Sequence, residues 1–123
     1  MKKLVIPDRM PGLNKVLGRA NANRYAGGKL KKEWTERVAW ECKTQDIGKL
    51  NEPVELEFRW FEPNRKRDPD NFTSAGRKLL LDGLQMAGCL RNDGWKNIAG
   101  FSDKWSVDKD NPRVVVIIKE DKK

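Results

Sequence analysis

Residues 54–61 read Val-Glu-Leu-Glu-Phe-Arg-Trp-Phe. Apolar residues alternate with charged ones, so Val54, Leu56, Phe58 and Trp60 fall on one face of an extended chain. This period predicts a strand with that face on a core. The rest of the chain must cover the face, and two segments have the pattern to do so. Residues 29–45 carry Leu30, Trp34, Val38 and Ala39 at near-helical spacing. Residues 72–87 carry Phe72, Ala75, Leu79, Leu80 and Leu84 as an apolar stripe, with Ser74, Lys78, Asp82 and Gln85 beside it. Gly76 and Gly83 weaken this second helix, and Gly88 is placed to end it. Shorter strands are expected over 3–6, 95–105 and the β-branched run 113–118. From Gly12 to Gly28 the chain reads as a polar loop with Asn14, Asn21, Asn23 and Arg24. The predicted order is β-α-β-α-β-β over one domain spanning 1–123. That makes a mixed α/β chain of the α+β class, a small sheet with two packed helices.

The net charge of +8 points to a polyanionic partner, nucleic acid first. A merely soluble basic protein is the alternative. The absence of histidine excludes His-based triads, zincin motifs and C₂H₂ fingers. Any enzymatic chemistry then falls to carboxylates, lysine and a hard metal. Cys42 and Cys89 are expected to be reduced structural thiols. No stretch is apolar enough to span a membrane, and Met1 to Pro7 lacks a signal-peptide h-region, so a cytoplasmic place is expected.

The chemistry concentrates between Arg65 and Asp93. Residues 65–71 read Arg-Lys-Arg-Asp-Pro-Asp-Asn, and 92–95 read Asn-Asp-Gly-Trp. Pro69 biases Asp68 to an extended conformation. On an extended chain Asp68 and Asp70 would face one space with Cα atoms about 7 Å apart. Two hard oxygen donors so placed can share a divalent cation such as Mg²⁺. Arg65, Lys66 and Arg67 beside them make sense if a phosphate chain binds there too. The same residues are also turn and N-cap chemistry, with Asp70 or Asn71 capping the following helix. Lys29, Lys31 and Lys32 are either a second phosphate-contacting patch or a solvated helix face. Trp34, Trp40, Trp60, Trp95 and Trp105 are expected mainly in the core, with an interface as their other place.

Arg-Asp-Pro-Asp-Asn, then Lys-Leu-Leu-Leu-Asp-Gly-Leu at 78–84, then Asn-Asp-Gly-Trp, resembles the RusA-type Holliday junction resolvases. The resemblance is close over about residues 63–98 and loose elsewhere. It implies a small, homodimeric, Mg²⁺-dependent endodeoxyribonuclease of a kind often carried by phages and prophages, with Mn²⁺ able to substitute. It implies that Asp68, Asp70 and Asp93 are catalytic metal-binding carboxylates and that Lys78 is the catalytic lysine. It also places Arg67 and Asn71 among the DNA contacts. In the family's pattern the lysine comes four residues after the second Asp, where this chain has Ser74. On one unbroken helix from Asp70, Lys78 would lie about 12 Å along the axis. A looped-out turn around Thr73–Gly76 would bring it back. Asn92 stands where the family often has a further Asp.

The expected activity is therefore hydrolysis of phosphodiesters in four-way or related branched DNA, in recombination or repair. Arg65, Lys66, Arg67 and the 29–32 lysines would hold phosphates without reading sequence. Lys78 would stabilise developing charge. Two symmetric cuts ask for a two-fold dimer. Two other readings remain: a non-catalytic binder of branched or single-stranded DNA, and an adaptor for an acidic protein partner.

Overall fold

The computed structural model describes residues 1–12 and 24–122, and for 24–27 the backbone alone. Residues 13–23, including Asn14, Asn21 and Asn23 of the expected loop, lie outside the described residues. The elements are β1 (Lys2–Pro7), α1 (Arg24–Thr44), β2 (Val54–Glu62), α2 (Pro69–Met86), β3 (Ile98–Val107) and β4 (Arg113–Lys119). The α+β class, the two helices and the β-α-β-α-β-β order match expectation. Boundaries differ: the second helix spans Pro69–Met86 rather than 72–87, and β3 spans Ile98–Val107 rather than 95–105. α1 begins at Arg24 rather than residue 29, so the loop gives way to helix earlier than its glycines suggested. Each glycine costs a helix about 1 kcal/mol relative to alanine, and the long helix that follows offsets it.

The four strands form one sheet in the order β1-β4-β2-β3. β4 runs antiparallel to both β1 and β2, while β2 and β3 are parallel. A parallel pair needs a crossover between its strands, and α2 provides it. β2 is therefore interior, and its alternation is realised: Val54, Leu56, Phe58 and Trp60 are all buried. Ile6, Val114, Trp60 and Trp105 make one cross-strand row, by the pairings Ile6↔Val114, Val114↔Trp60 and Trp60↔Trp105. At the β3 end this row runs out of cover, because β3 is an edge strand and most of its residues are exposed.

Only Trp60 of the five tryptophans is a core residue. Trp34 is half-buried, and Trp40, Trp95 and Trp105 are exposed. The expectation that each sits in the core fails because the core is filled by one strand face and two helix stripes. No helix among the described residues is long and apolar enough to cross a membrane.

The glycines of α2 have a packing reason. A Cβ on Gly76 would lie 2.5 Å from Cζ3 of Trp60, and one on Gly83 would lie 2.3 Å from Cγ1 of Val38. Gly76 lets α2 settle on the sheet, and Gly83 lets the two helices touch. The helix ends as expected at Gly88: its N–H donates to the Gln85 carbonyl at 3.0 Å, and that of Cys89 donates to Leu84 at 2.9 Å. This is the Schellman pattern.

Gly76→Ala raises helix propensity yet drives a methyl group into a fully packed ring. The steric effect wins, and a loss of about 1–3 kcal/mol is expected in urea unfolding with an unchanged m-value.

Burial, with Cys89 alongside, pushes the Cys42 thiol from 9.0 up to about 12. The unfolded chain then loses this proton before the folded one does. Stability contributed by Cys42 should hold below pH 9 and fall as pH rises from 9.0 toward 12. Unfolding midpoints across that range, for wild type beside Cys42→Ala, should show the alkaline slope reduced in the variant.

Candidate functional site

β2 delivers the chain to a buried carboxylate. Glu62 continues the inward-facing set of β2 and is only 7% exposed. Arg67 answers it with a two-pronged pair, Nε to Oε1 at 2.9 Å and Nη2 to Oε2 at 2.7 Å. Arg9 approaches the same carboxylate at 3.4 Å. The third nitrogen of Arg67 donates to the Met10 carbonyl at 3.1 Å, and the guanidinium lies 5.6 Å from the Phe72 ring centroid. The loop between β2 and α2 is thus folded back and tied to both β2 and the segment after β1. Arg67 was expected to touch DNA. Each of its three nitrogens donates one hydrogen bond within the protein, and so Arg67 holds the loop.

At the end of that loop Asp68 occupies the N-cap of α2, with φ −71° and ψ 146°. The extended backbone that Pro69 imposes is present, and Pro69 opens the helix. The cap position falls to Asp68, not to Asp70 or Asn71. Its carboxylate makes no cap hydrogen bond and is exposed to solvent. Asp70 is not extended. It lies in the first helical turn, and its Oδ1 accepts a hydrogen bond from the Ser74 hydroxyl at 3.2 Å. The two carboxylates share the helix start, but by a cap-and-first-turn geometry rather than one face of a strand. Negative charge at a helix N-terminus is favoured by the backbone dipole.

α2 is unbroken through Thr73–Gly76, so the looped-out turn is not formed. Ser74 and Lys78 lie one and two turns beyond Asp70. Lys78 instead meets the third acid: its Nζ lies 3.1 Å from Asp82 and 3.6 Å from Asp93. The hydrogen bond to Asp82, with the charges of Asp82 and Asp93, holds the Lys78 ammonium above its usual pKa, against a smaller desolvation effect. It is a fixed positive charge, not a base, at neutral pH. Asp93 sits in the turn before β3, its N–H donating to Asn92 Oδ1 at 2.8 Å.

The expected site residues therefore separate into two groups along α2. Asp68 and Asp70 stand at its N-terminus. Lys78 and Asp93 stand about two turns further on. Among the described residues, no three Asp, Glu or Cys side chains converge on one point. The donor chemistry at the helix start still suits Mg²⁺. This ion takes hard oxygen ligands and is usually held by one or two carboxylates together with waters and substrate phosphates. Asp68 and Asp70 are exposed carboxylates of that kind.

Two cavities open beside Asp68. One, of about 410 Å³, is lined by Arg9, Lys66, Trp34 and Asn71. The other, of about 520 Å³, is lined by Asn64, Arg65, Phe72, Trp105 and Ser106. Arg67 and Asp68 belong to both walls. Arg65 and Lys66 are exposed and enter no ion pair among the described residues. The Lys66 N–H donates to Asn64 Oδ1 at 2.9 Å, which shapes the turn that presents them. Lys29, Lys31 and Lys32 are exposed on α1, and Lys29 lies 4.0 Å from Glu33. They line neither cavity, but Trp34, on the next turn of the same helix, reaches the first.

The sequence reading missed Glu62, Arg9 and the placement of Trp105. Glu62 had a signal, since it is a charged residue in phase with the buried set Val54 to Trp60. Arg9 had none, because its partner is remote in sequence. A scan against protein-family models finds no match, and a search of curated proteins finds none either.

Removing the carboxylate from a buried ion pair strands its arginine. Glu62→Ala is expected to destabilise by about 3–5 kcal/mol in denaturant unfolding. Glu57→Ala, on the opposite face of the same strand, should leave the unfolding midpoint nearly unchanged.

Proposed function

We propose that this protein is a Mg²⁺-dependent endodeoxyribonuclease acting on branched DNA, of the Holliday junction resolvase type. In this reading it works as a homodimer in the cytoplasm, in recombination or repair. The observation that carries it is Asp68. It is an exposed aspartate at a helix cap with no capping bond, beside Asp70 and between two cavities rimmed by Arg9, Arg65 and Lys66, and its carboxylate is open to a ligand. Carboxylates set in so basic a surroundings suit a phosphate chain bound together with a cation.

Asp68 and Asp70 would hold the Mg²⁺, with Asp93 available once Lys78 releases it. When bound, the ion supplies Lewis-acid polarisation of the phosphate and a more acidic water. The protein's own groups do the rest. Arg65 and Lys66 take flanking phosphates, giving affinity without sequence preference. Asn71, in the first cavity, offers an amide to the backbone. The charged ammonium of Lys78, two turns along the helix from Asp70, would stabilise negative charge on the bound phosphate chain. The α1 lysines extend the electrostatic track. A two-fold dimer would present two such sites for paired cuts.

The separation of Asp93 from Asp68 and Asp70 favours a second reading, a non-catalytic binder of branched or single-stranded DNA. The two are told apart by incubating a labelled synthetic four-way junction with Mg²⁺ or Mn²⁺. Wild type should make paired symmetric nicks, and Asp70→Asn should bind with equal or higher affinity but cut at least about 100-fold more slowly, as expected on losing a metal-held transition-state contact. Binding by both proteins without any cutting would leave the binder.

A further inference from the structure

The cavity walled by Trp105 has a chemistry that phosphate binding does not use. Trp105 lies on the edge strand β3, paired with Trp60 and on the same face of the sheet. Trp105 is 56% exposed. Phe72 and Pro69 supply further apolar lining. Against these stand the polar residues Asn64 and Ser106, the carboxylate of Asp68, the Arg67–Glu62 ion pair, and one cation, Arg65, that enters no ion pair among the described residues. An aromatic face, a few hydrogen-bonding groups and one cation outside any ion pair match the π-face, the edge and the phosphate of one nucleotide. An aliphatic ligand would have no use for the amide and the cation. A lone phosphate would have none for the indole. The volume of about 520 Å³ lies within the range of small-ligand sites.

The position of Asp68 adds a direction. Because it borders both cavities, a strand whose base enters beside Trp105 brings its adjoining phosphate past Asp68. The next phosphates then reach Lys66 and Arg9 in the first cavity. Bases in intact duplex have no free face to offer. An unpaired or easily unstacked base at a branch point does, and removing it from the stack costs least there.

We infer that this cavity binds one unpaired nucleobase of the branched substrate, stacked on Trp105, and so sets the scissile phosphate at Asp68. The inference rests on the DNA reading of the same site and adds the feature by which a branch is preferred to plain duplex. Stacking on one aromatic side chain changes affinity by about tenfold.

The test uses the whole chain in EDTA, so that no cutting occurs, with 2-aminopurine at the branch point of a four-way junction. Wild type should change the probe's fluorescence on binding. Trp105→Ala should lose that change and bind the junction about tenfold more weakly. Trp105→Phe, which keeps a ring, should retain most of both. Trp95→Ala, an exposed tryptophan outside the cavity, should match wild type. All four proteins should bind paired duplex of equal length alike, and circular dichroism should show all four folded. Equal junction affinity and probe response in wild type and Trp105→Ala would overturn the inference. With Mg²⁺ restored, the two readings part. Paired nicking by a Trp105→Ala protein of wild-type affinity keeps the nuclease and removes the base pocket. Trp105-dependent binding without nicking keeps the pocket and removes the nuclease.

Discussion

The site depends on one buried charge, the carboxylate of Glu62. It ends the interior strand β2 on the side that faces the helices, where an unpaired charge could not remain. Arg67 and Arg9 satisfy it, and in doing so they join three pieces of chain: the end of β2, the loop before α2, and the segment after β1. The Asp108 N–H adds a fourth, donating to the Glu62 carbonyl at 2.8 Å. A loop carrying Arg65, Lys66 and Asp68 would otherwise be free to swing. Held in this way, its remaining cations point outward and its acid sits at the helix start. The protein uses one arginine of the basic triplet as a fastener and leaves its two neighbours for solvent or a ligand.

The same logic places the site within the fold. β2 is an interior strand, and α2 crosses from it to the parallel strand β3. A loop at the carboxyl end of such a strand lies outside the sheet, open to a ligand yet anchored by the strand behind it. Gly76 brings α2 onto Trp60, so the helix start comes close over the end of β2. Asp103 reinforces this corner by accepting from the Trp60 indole at 3.0 Å and pairing with Arg77 of α2. Strand, helix and edge strand thus meet around Asp68, with Trp105 standing just beyond the cover of the helices.

Charge is divided along α2 in a way that motif spacing does not convey. Its N-cap and first turn carry Asp68 and Asp70, which complement the dipole. Two turns later Lys78 balances Asp82 and Asp93. A metal at the helix start and an ammonium further along would act on a phosphate chain from different directions. The pairing of Lys78 with Asp93 also means that drawing Asp93 toward a metal must compete with an ion pair already made.

Much of the architecture was legible in the residues alone. The alternation of 54–61, the apolar stripes of the two helices, the β-branched run at 113–118 and the glycine stop at 88 each express a local period or a local backbone preference. Such signals survive without knowledge of the fold, and they determined the element order and class. Pro69 likewise determined the backbone at Asp68. What the sequence could not determine was choice of partner. That Arg67 turns to Glu62 and Met10, that Asp70 enters the helix beside Ser74, that Lys78 meets Asp93, and that Trp105 stays uncovered while Trp60 is buried all follow from strand order and helix docking. Met10 and Arg67 are 57 residues apart, and no local period encodes such a contact. The tertiary structure decided these pairings, because a buried charge or ring takes whichever partner the packing brings within reach.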